Sequence, residues 1–124
     1  AFVFDCFSNP DANLIEERLF PFIERLQTAH PGKPLIFQQT IYREGRNFSH
    51  SVDEKEKAKQ RMAAQLMRIA CRKYDDVYFI QTDATDSMHS TSVDGIHPSD
   101  YGYTLWAKSV KKPLLKILAK YGIR

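Results

Sequence analysis

Cysteine is scarce in this 124-residue chain: Cys6 and Cys71 alone, far apart, with no Cys-x-x-Cys between them. That excludes a disulfide scaffold and a paired-cysteine redox or zinc motif. Both sit among apolar neighbours, which predicts buried free thiols. Glycine is also sparse, with five scattered residues. No glycine-rich phosphate loop exists, so nucleotide binding has no support and no cofactor is implied. No apolar run approaches the roughly 20 residues that span a bilayer. No charged segment followed by an apolar one reads as a signal peptide, and the compartment stays open between periplasmic, secreted and other locations. Charge of one sign is lacking too: 18 Lys and Arg against 15 Asp and Glu give a net +3. That is too little to imply a nucleic-acid partner. Much of the excess gathers at Lys108, Lys111, Lys112, Lys116, Lys120 and Arg124, where it reads as the solvated face of an amphipathic helix, with a patch for a membrane surface or polyanion as the alternative.

What is present is ordinary globular composition, 43% hydrophobic and 27% charged, enough for one domain. Short apolar runs alternate with helical patterns. Residues 1–4 read as a strand ending at Asp5. Ile15, Leu19, Phe22, Ile23 and Leu26 recur at helical spacing, with Pro21 expected to kink or restart the helix. A second strand begins at Leu35, and a polar loop is predicted from Tyr42 to Val52. Asp53 is a candidate cap for a helix with the apolar stripe Ala58, Met62, Leu66 and Ile69. The charged residues Glu54, Lys55, Glu56, Lys57 and Lys59 read as its solvated end. Val77 to Ile80 form a third strand. A last helix carries Tyr103, Trp106, Val110, Leu114, Ile117 and Leu118, with Pro113 as an expected break. The order β-α-β-α-β-α predicts an α/β fold with a parallel sheet and helices on both faces. Three strands are few for such a sheet, so one or two further strands are expected on the N-terminal side.

In open α/β sheets, chemistry lies beyond the C-terminal ends of the strands. The third of these regions holds Val93-Asp94-Gly95-Ile96-His97-Pro98-Ser99-Asp100-Tyr101-Gly102. Asp94 and His97 are three apart on a loop, a spacing that can bring the carboxylate to one imidazole nitrogen and leave the other facing a cleft. A carboxylate so placed fixes the tautomer and stabilises the imidazolium formed when His acts as a base. A bare Asp-x-x-His is weak evidence, and a loop-capping Asp beside a surface His remains open. The longer Asp-Gly-x-His-Pro-x-Asp-x-Gly string is far more specific.

That string resembles the last block of the SGNH (GDSL-type) serine esterase family. Phe2-Val3-Phe4-Asp5-Cys6-Phe7-Ser8-Asn9-Pro10 is similar to a variant third block of one branch, and residues 41–48 resemble that branch's loop after the fourth strand. The resemblance implies a flavodoxin-like SGNH three-layer sandwich, with residues 1–124 as the C-terminal part of one domain whose first strands are missing. It implies catalytic roles for Asp94 and His97, an oxyanion-hole role for Asn9, and an ester hydrolase as the parent protein. The substrate expected is a small-molecule or carbohydrate ester, with a lean towards acetyl groups on carbohydrate. The family's nucleophilic Ser follows its first strand in a Gly-x-Ser setting. None of Gly32, Gly45, Gly95, Gly102 or Gly122 begins one, so no nucleophile is expected in this chain. The segment alone is then expected to be inactive, marginally stable and prone to aggregate, with its own upstream segment as a partner.

Asp5 is a candidate cleft lining or a structural acceptor. Arg43, Arg46 and Asn47 lie on a loop at the same end, as cleft lining or as ion-paired surface. His89 near Asp94 and His97 does not follow a zinc spacing, so no metal is expected. Trp106 reads as packing. Two other functional classes stay open: an interaction module that kept the Asp-His loop without the nucleophile, and a paired assembly in which the open edge at residues 1–5 finds a partner strand.

Overall fold

Each apolar run becomes a parallel strand, and each helical pattern a helix. The computed structural model describes residues 1–39, 49–82, 90–95 and 97–123. In it β1 (Phe2–Phe4), β2 (Leu35–Gln38) and β3 (Val77–Ile80) alternate with α1 (Ala12–Ala29), α2 (His50–Lys73) and α3 (Asp100–Ala119). The described strands form one sheet, ordered β1-β2-β3, with both pairings parallel. Phe2, Val3 and Phe4 stand opposite Leu35, Ile36 and Phe37, which in turn stand opposite Val77, Tyr78 and Phe79. Parallel neighbours cannot be joined by a tight turn, and α1 and α2 are the crossovers.

Side chains alternate along a strand, so β2 feeds two cores. Leu35 and Phe37 join Ile15, Leu19 and Ile23 of α1 and Ala63, Leu66, Met67 and Ala70 of α2. Ile36 joins Ile80 of β3 with Val110 and Ile117 of α3. The sheet therefore lies between α1 and α2 on one side and α3 on the other. Burying a side chain such as Phe37 contributes about 1.5–3 kcal/mol, which makes β2 the best-anchored strand. β1 is covered on one side. Its Phe4 stacks on Phe37 with ring centroids 4.9 Å apart, while Val3, facing the other way, is 44% exposed.

Several expectations need correction. α2 begins at His50, so the predicted loop ends earlier, and Ser49 rather than Asp53 is the N-cap residue. Asp53 falls in the first helical turn, where its charge suits the positive end of the helix dipole. The buried stripe of α2 is Glu56, Lys59, Ala63, Leu66, Met67 and Ala70. Ala58 and Ile69 are exposed instead. Glu56 and Lys59 are thus not solvated: they are 8% and 5% exposed and paired with each other. Neither proline ends its helix, since α1 runs through Pro21 and α3 through Pro113. Pro21 is exposed, so water can reach the carbonyl that its missing N–H leaves unbonded.

The cysteines are free, as expected, but neither residue is buried. Cys6 follows an edge strand and lines an apolar groove of about 470 Å³ beside Leu14, Arg18 and Phe22 of α1. Solvent reaches the residue along this groove, while neighbouring protein atoms still desolvate the thiol and push it up to about 11. Burial raises the Cys71 thiol as well. Among the described residues, no helix is long and apolar enough to cross a membrane.

Candidate active site

The C-terminal ends of parallel strands open onto one edge of the sheet, where loops meet. Three long-range hydrogen bonds tie this edge together. Thr82 Oγ1 donates to the Gln39 carbonyl at 2.6 Å, Gln39 Nε2 to the Gln60 carbonyl at 3.2 Å, and Lys59 Nζ to the Ser8 carbonyl at 2.8 Å.

The segment leading into α3 builds its own frame. Ser92 and Pro98 form an antiparallel bridge. Val93 N and Ser92 Oγ both donate to the His97 carbonyl at 3.0 Å. Gly95 turns the chain at φ +76°, a conformation that costs glycine little. Within this turn Asp94 uses both carboxylate oxygens. Oδ1 accepts from the His97 backbone N–H at 2.7 Å, and Oδ2 lies 2.7 Å from His97 Nδ1. A carboxylate only accepts, so Nδ1 carries the shared proton in the neutral ring and Nε2 is left with its lone pair. Both side chains reach solvent, His97 at 70% and Asp94 at 47% exposure.

The frame is docked on α3 by close contact. Ser99 Oγ accepts from Gly102 N at 3.1 Å, capping the helix, and donates to the Ser90 carbonyl at 2.9 Å. Ser99 N donates to the Thr91 carbonyl at 2.9 Å. A Cβ on Gly102 would stand 2.1 Å from the Thr91 carbonyl oxygen, so only glycine lets the helix approach. The motif residues therefore have separate physical reasons: Asp94 as acceptor, Gly95 for the turn, Gly102 for proximity.

Asn9 arrives from a different direction. The chain leaves β1 at Phe4, and Phe7 drops into the core at 2% exposure. Asp11 caps α1 by accepting from Leu14 N at 2.8 Å. Between these two anchors Ser8, Asn9 and Pro10 bend across the edge of the sheet. Asp5 accepts a long hydrogen bond of 3.4 Å from Ser8 Oγ, which makes it an acceptor within the turn. The Ser8 carbonyl is held from α2 by Lys59, whose ammonium is also 2.9 Å from Glu56 Oε2.

Asn9 and His97 line one cavity of about 590 Å³, together with Ser8, Asn13, Lys55, Glu56 and Lys59. The structure thus brings Asn9, His97 and, through its hydrogen bond, Asp94 to one place. Asp5 does not line this cavity. Arg43, Arg46 and Asn47 lie outside the described residues, as does His89. Among the described residues no cluster of three or more His, Cys, Asp or Glu could hold a metal ion. Also among them, the His97 ring has one side-chain partner, Asp94. Lys59 and Glu56 were missing from the sequence-based candidates. Their positions, three apart and continuing to Ala63, Leu66 and Ala70, were the available signal.

Comparison with known proteins agrees with this architecture. The profile of the GDSL-like Lipase/Acylhydrolase family matches residues 1–115. A crystal structure from Bacteroides ovatus, of a protein assigned as a GDSL-like lipase, superimposes with a TM-score of 0.87 at 34% sequence identity. The match covers 96% of this chain and 36% of that one, so the chain spans little more than a third of the length of its structural relative. No curated protein sequence matches.

Proposed function

Because the chain belongs to the GDSL-like lipase/acylhydrolase family, we propose that it supplies the acid–base and oxyanion half of a carboxylic-ester hydrolase. The observation that carries this reading is the shared cavity of Asn9 and His97, with Asp94 on the far nitrogen of the imidazole. On this reading residues 1–124 are the C-terminal part of one SGNH domain. The nucleophilic Ser belongs to an upstream segment of the same protein, which is then a partner of this chain. The exposed Val3 side of β1 favours such a neighbour.

The chemistry is acyl transfer. The Ser hydroxyl oxygen bonds to the ester carbonyl carbon while His97 Nε2 takes its proton. Asp94 holds the ring and stabilises the imidazolium. The Asn9 side-chain amide donates to the oxyanion of the tetrahedral intermediate. Collapse breaks the bond to the leaving alkoxide, which receives that proton from His97 and departs as the alcohol. Water then repeats the sequence on the acyl-enzyme, releasing the acid. The cavity wall is rich in hydrogen-bonding groups, with Asn13, Lys55 and Ser8 beside the site. This favours a polar leaving group such as a carbohydrate over a long alkyl chain, with a small acyl group such as acetyl.

The test is intact-mass analysis after treatment with a fluorophosphonate probe. This chain is expected to stay unlabelled, and the chain extended upstream to gain one adduct that His97→Ala abolishes. An adduct on the 124-residue chain itself would overturn the placement of the nucleophile. An extended chain that neither labels nor hydrolyses 4-nitrophenyl acetate would overturn the esterase and leave an interaction module of the same fold.

A further inference from the structure

Lys59 is 5% exposed, and its ammonium meets two kinds of acceptor. One is the carboxylate of Glu56, one helical turn away, at 3.0 Å and 2.9 Å to its two oxygens. The other is the Ser8 backbone carbonyl at 2.8 Å, 51 residues distant in sequence. A buried ion pair is a poor device for stability alone, because well-packed apolar residues of similar volume often do as well or better. What this pair does that apolar residues cannot is satisfy a main-chain acceptor outside the sheet. β1 ends at Phe4, so the turn that follows lies beyond the strand ladder, and the half-buried Ser8 carbonyl takes this donor from α2. Ser8 immediately precedes Asn9, and the peptide unit gripped by Lys59 is the one that leads into Asn9.

We infer that Lys59, neutralised by Glu56, is a positioning residue that clamps the Ser8–Asn9 peptide and so sets where Asn9 stands in the cavity. The inference rests on the acyl-transfer reading above for its catalytic consequence. It does not make Lys59 an oxyanion donor, since its charge is already engaged by Glu56. Hydrogen-bond donors to an oxyanion act through geometry fixed beforehand. Loss of the clamp therefore acts on turnover rather than on substrate affinity, and only through Asn9.

The test is a double-mutant cycle between Lys59 and Asn9, in the whole protein including its upstream segment, with 4-nitrophenyl acetate as substrate. Asn9→Ala should lower kcat by about 10²–10³. Lys59→Met should lower kcat by roughly 10², with KM changed less than about threefold. The double variant should fall no further than Asn9→Ala alone, because the clamp has nothing left to position. Losses that multiply would overturn the inference. Lys59→Met strands the Glu56 charge, so Glu56→Gln with Lys59→Met, which removes both charges, is run beside it and should show the same kcat.

Amide NMR reads the clamp without catalysis. The Asn9 nitrogen shares its peptide unit with the Ser8 carbonyl that Lys59 holds, so its resonance should move in both variants, with the Ile36 and Phe37 amides of β2 unmoved. If the wild type hydrolyses no ester, the acyl-transfer reading fails and the Asn9 resonance alone decides the clamp. An unmoved Asn9 resonance overturns it. If the wild type is active but neither kcat nor the Asn9 resonance responds to Lys59→Met, the clamp fails while the acyl-transfer reading stands.

Discussion

The two arms of the site are held by opposite means. The Asp94–His97 arm is local: its hydrogen bonds join residues within the 90–102 stretch, and its two side chains are largely open to solvent. The Asn9 arm is held across the molecule, by Phe7 in the core and by a buried ion pair reaching over from α2. A local turn closes a short loop at little entropic cost, so its geometry depends weakly on the rest of the fold. A clamp between residues 8 and 59 exists only once the sheet and helices have packed. The same cavity therefore joins a part that a short motif specifies and a part that the tertiary structure specifies. Substitutions in the first should cost activity and spare the fold. Substitutions in the second should cost both activity and stability.

The sharpest way to test that division is Asp94→Asn in the protein extended by its upstream segment. The amide can still accept from the His97 backbone N–H, so the turn should persist. It no longer enforces the Nδ1–H tautomer, and kcat should fall by about 10⁴, or roughly 5.5 kcal/mol of transition-state stabilisation. The melting temperature should stay within a few degrees. A large loss of Tm with this substitution would show that the turn is not the independent unit described here. Lys59→Ala should behave in reverse order. Removing one partner of a buried pair typically destabilises by about 3–5 kcal/mol, and denaturant titration should register it. A loss under ~1 kcal/mol would mean that Glu56 finds water, and that the second arm is no more tertiary than the first.

Between these extremes lies Gly102, where the local arm meets α3. A Cβ there would stand 2.1 Å from the Thr91 carbonyl oxygen and 3.2 Å from Pro98 Cβ. The helix or the loop has to give way, at about 1–3 kcal/mol for an overpacked contact. Gly102→Ala should therefore lower both Tm and esterase turnover, unlike Asp94→Asn. If turnover is unchanged while Tm falls, His97 is insulated from the helix that carries its loop.

How far the sequence foretold this arrangement follows the same division. The strands were legible because parallel, doubly buried strands are written as continuous apolar runs, as in Leu35-Ile36-Phe37. The Asp94–His97 contact was legible because both partners and the intervening turn residue fit within four positions. The Lys59 clamp was not. Charged residues in a run normally face water, and nothing in residues 54–59 says that this turn of α2 points at a carbonyl 51 residues away. The start of α2 was misread because Ser49 and Asp53 are both competent caps, and local sequence does not choose between them. The exposure of Cys6 depends on β1 standing at the edge of the described sheet, a property of strand order that apolar neighbours in sequence do not carry.

Helix capping gives the smallest and most internally controlled test of the comparison. Ser49 and Ser99 occupy the same position at the starts of α2 and α3. Ser99 makes a cap bond to Gly102 N and also donates to the Ser90 carbonyl, within the local arm. Ser49 makes no side-chain cap bond, and its Oγ lies 3.1 Å from Ser51 Oγ instead. Ser99→Ala should then cost about 1 kcal/mol, and Ser49→Ala less than about half of that. Urea unfolding of the two variants measures the difference directly. Equal losses would mean that the Ser49 hydroxyl caps α2 in solution, so that the two helix starts are equivalent. Should the Ser99 loss appear with turnover intact, the Asp94–His97 turn holds its geometry even when its attachment to α3 is loosened, which is the strongest form of independence the local arm could show.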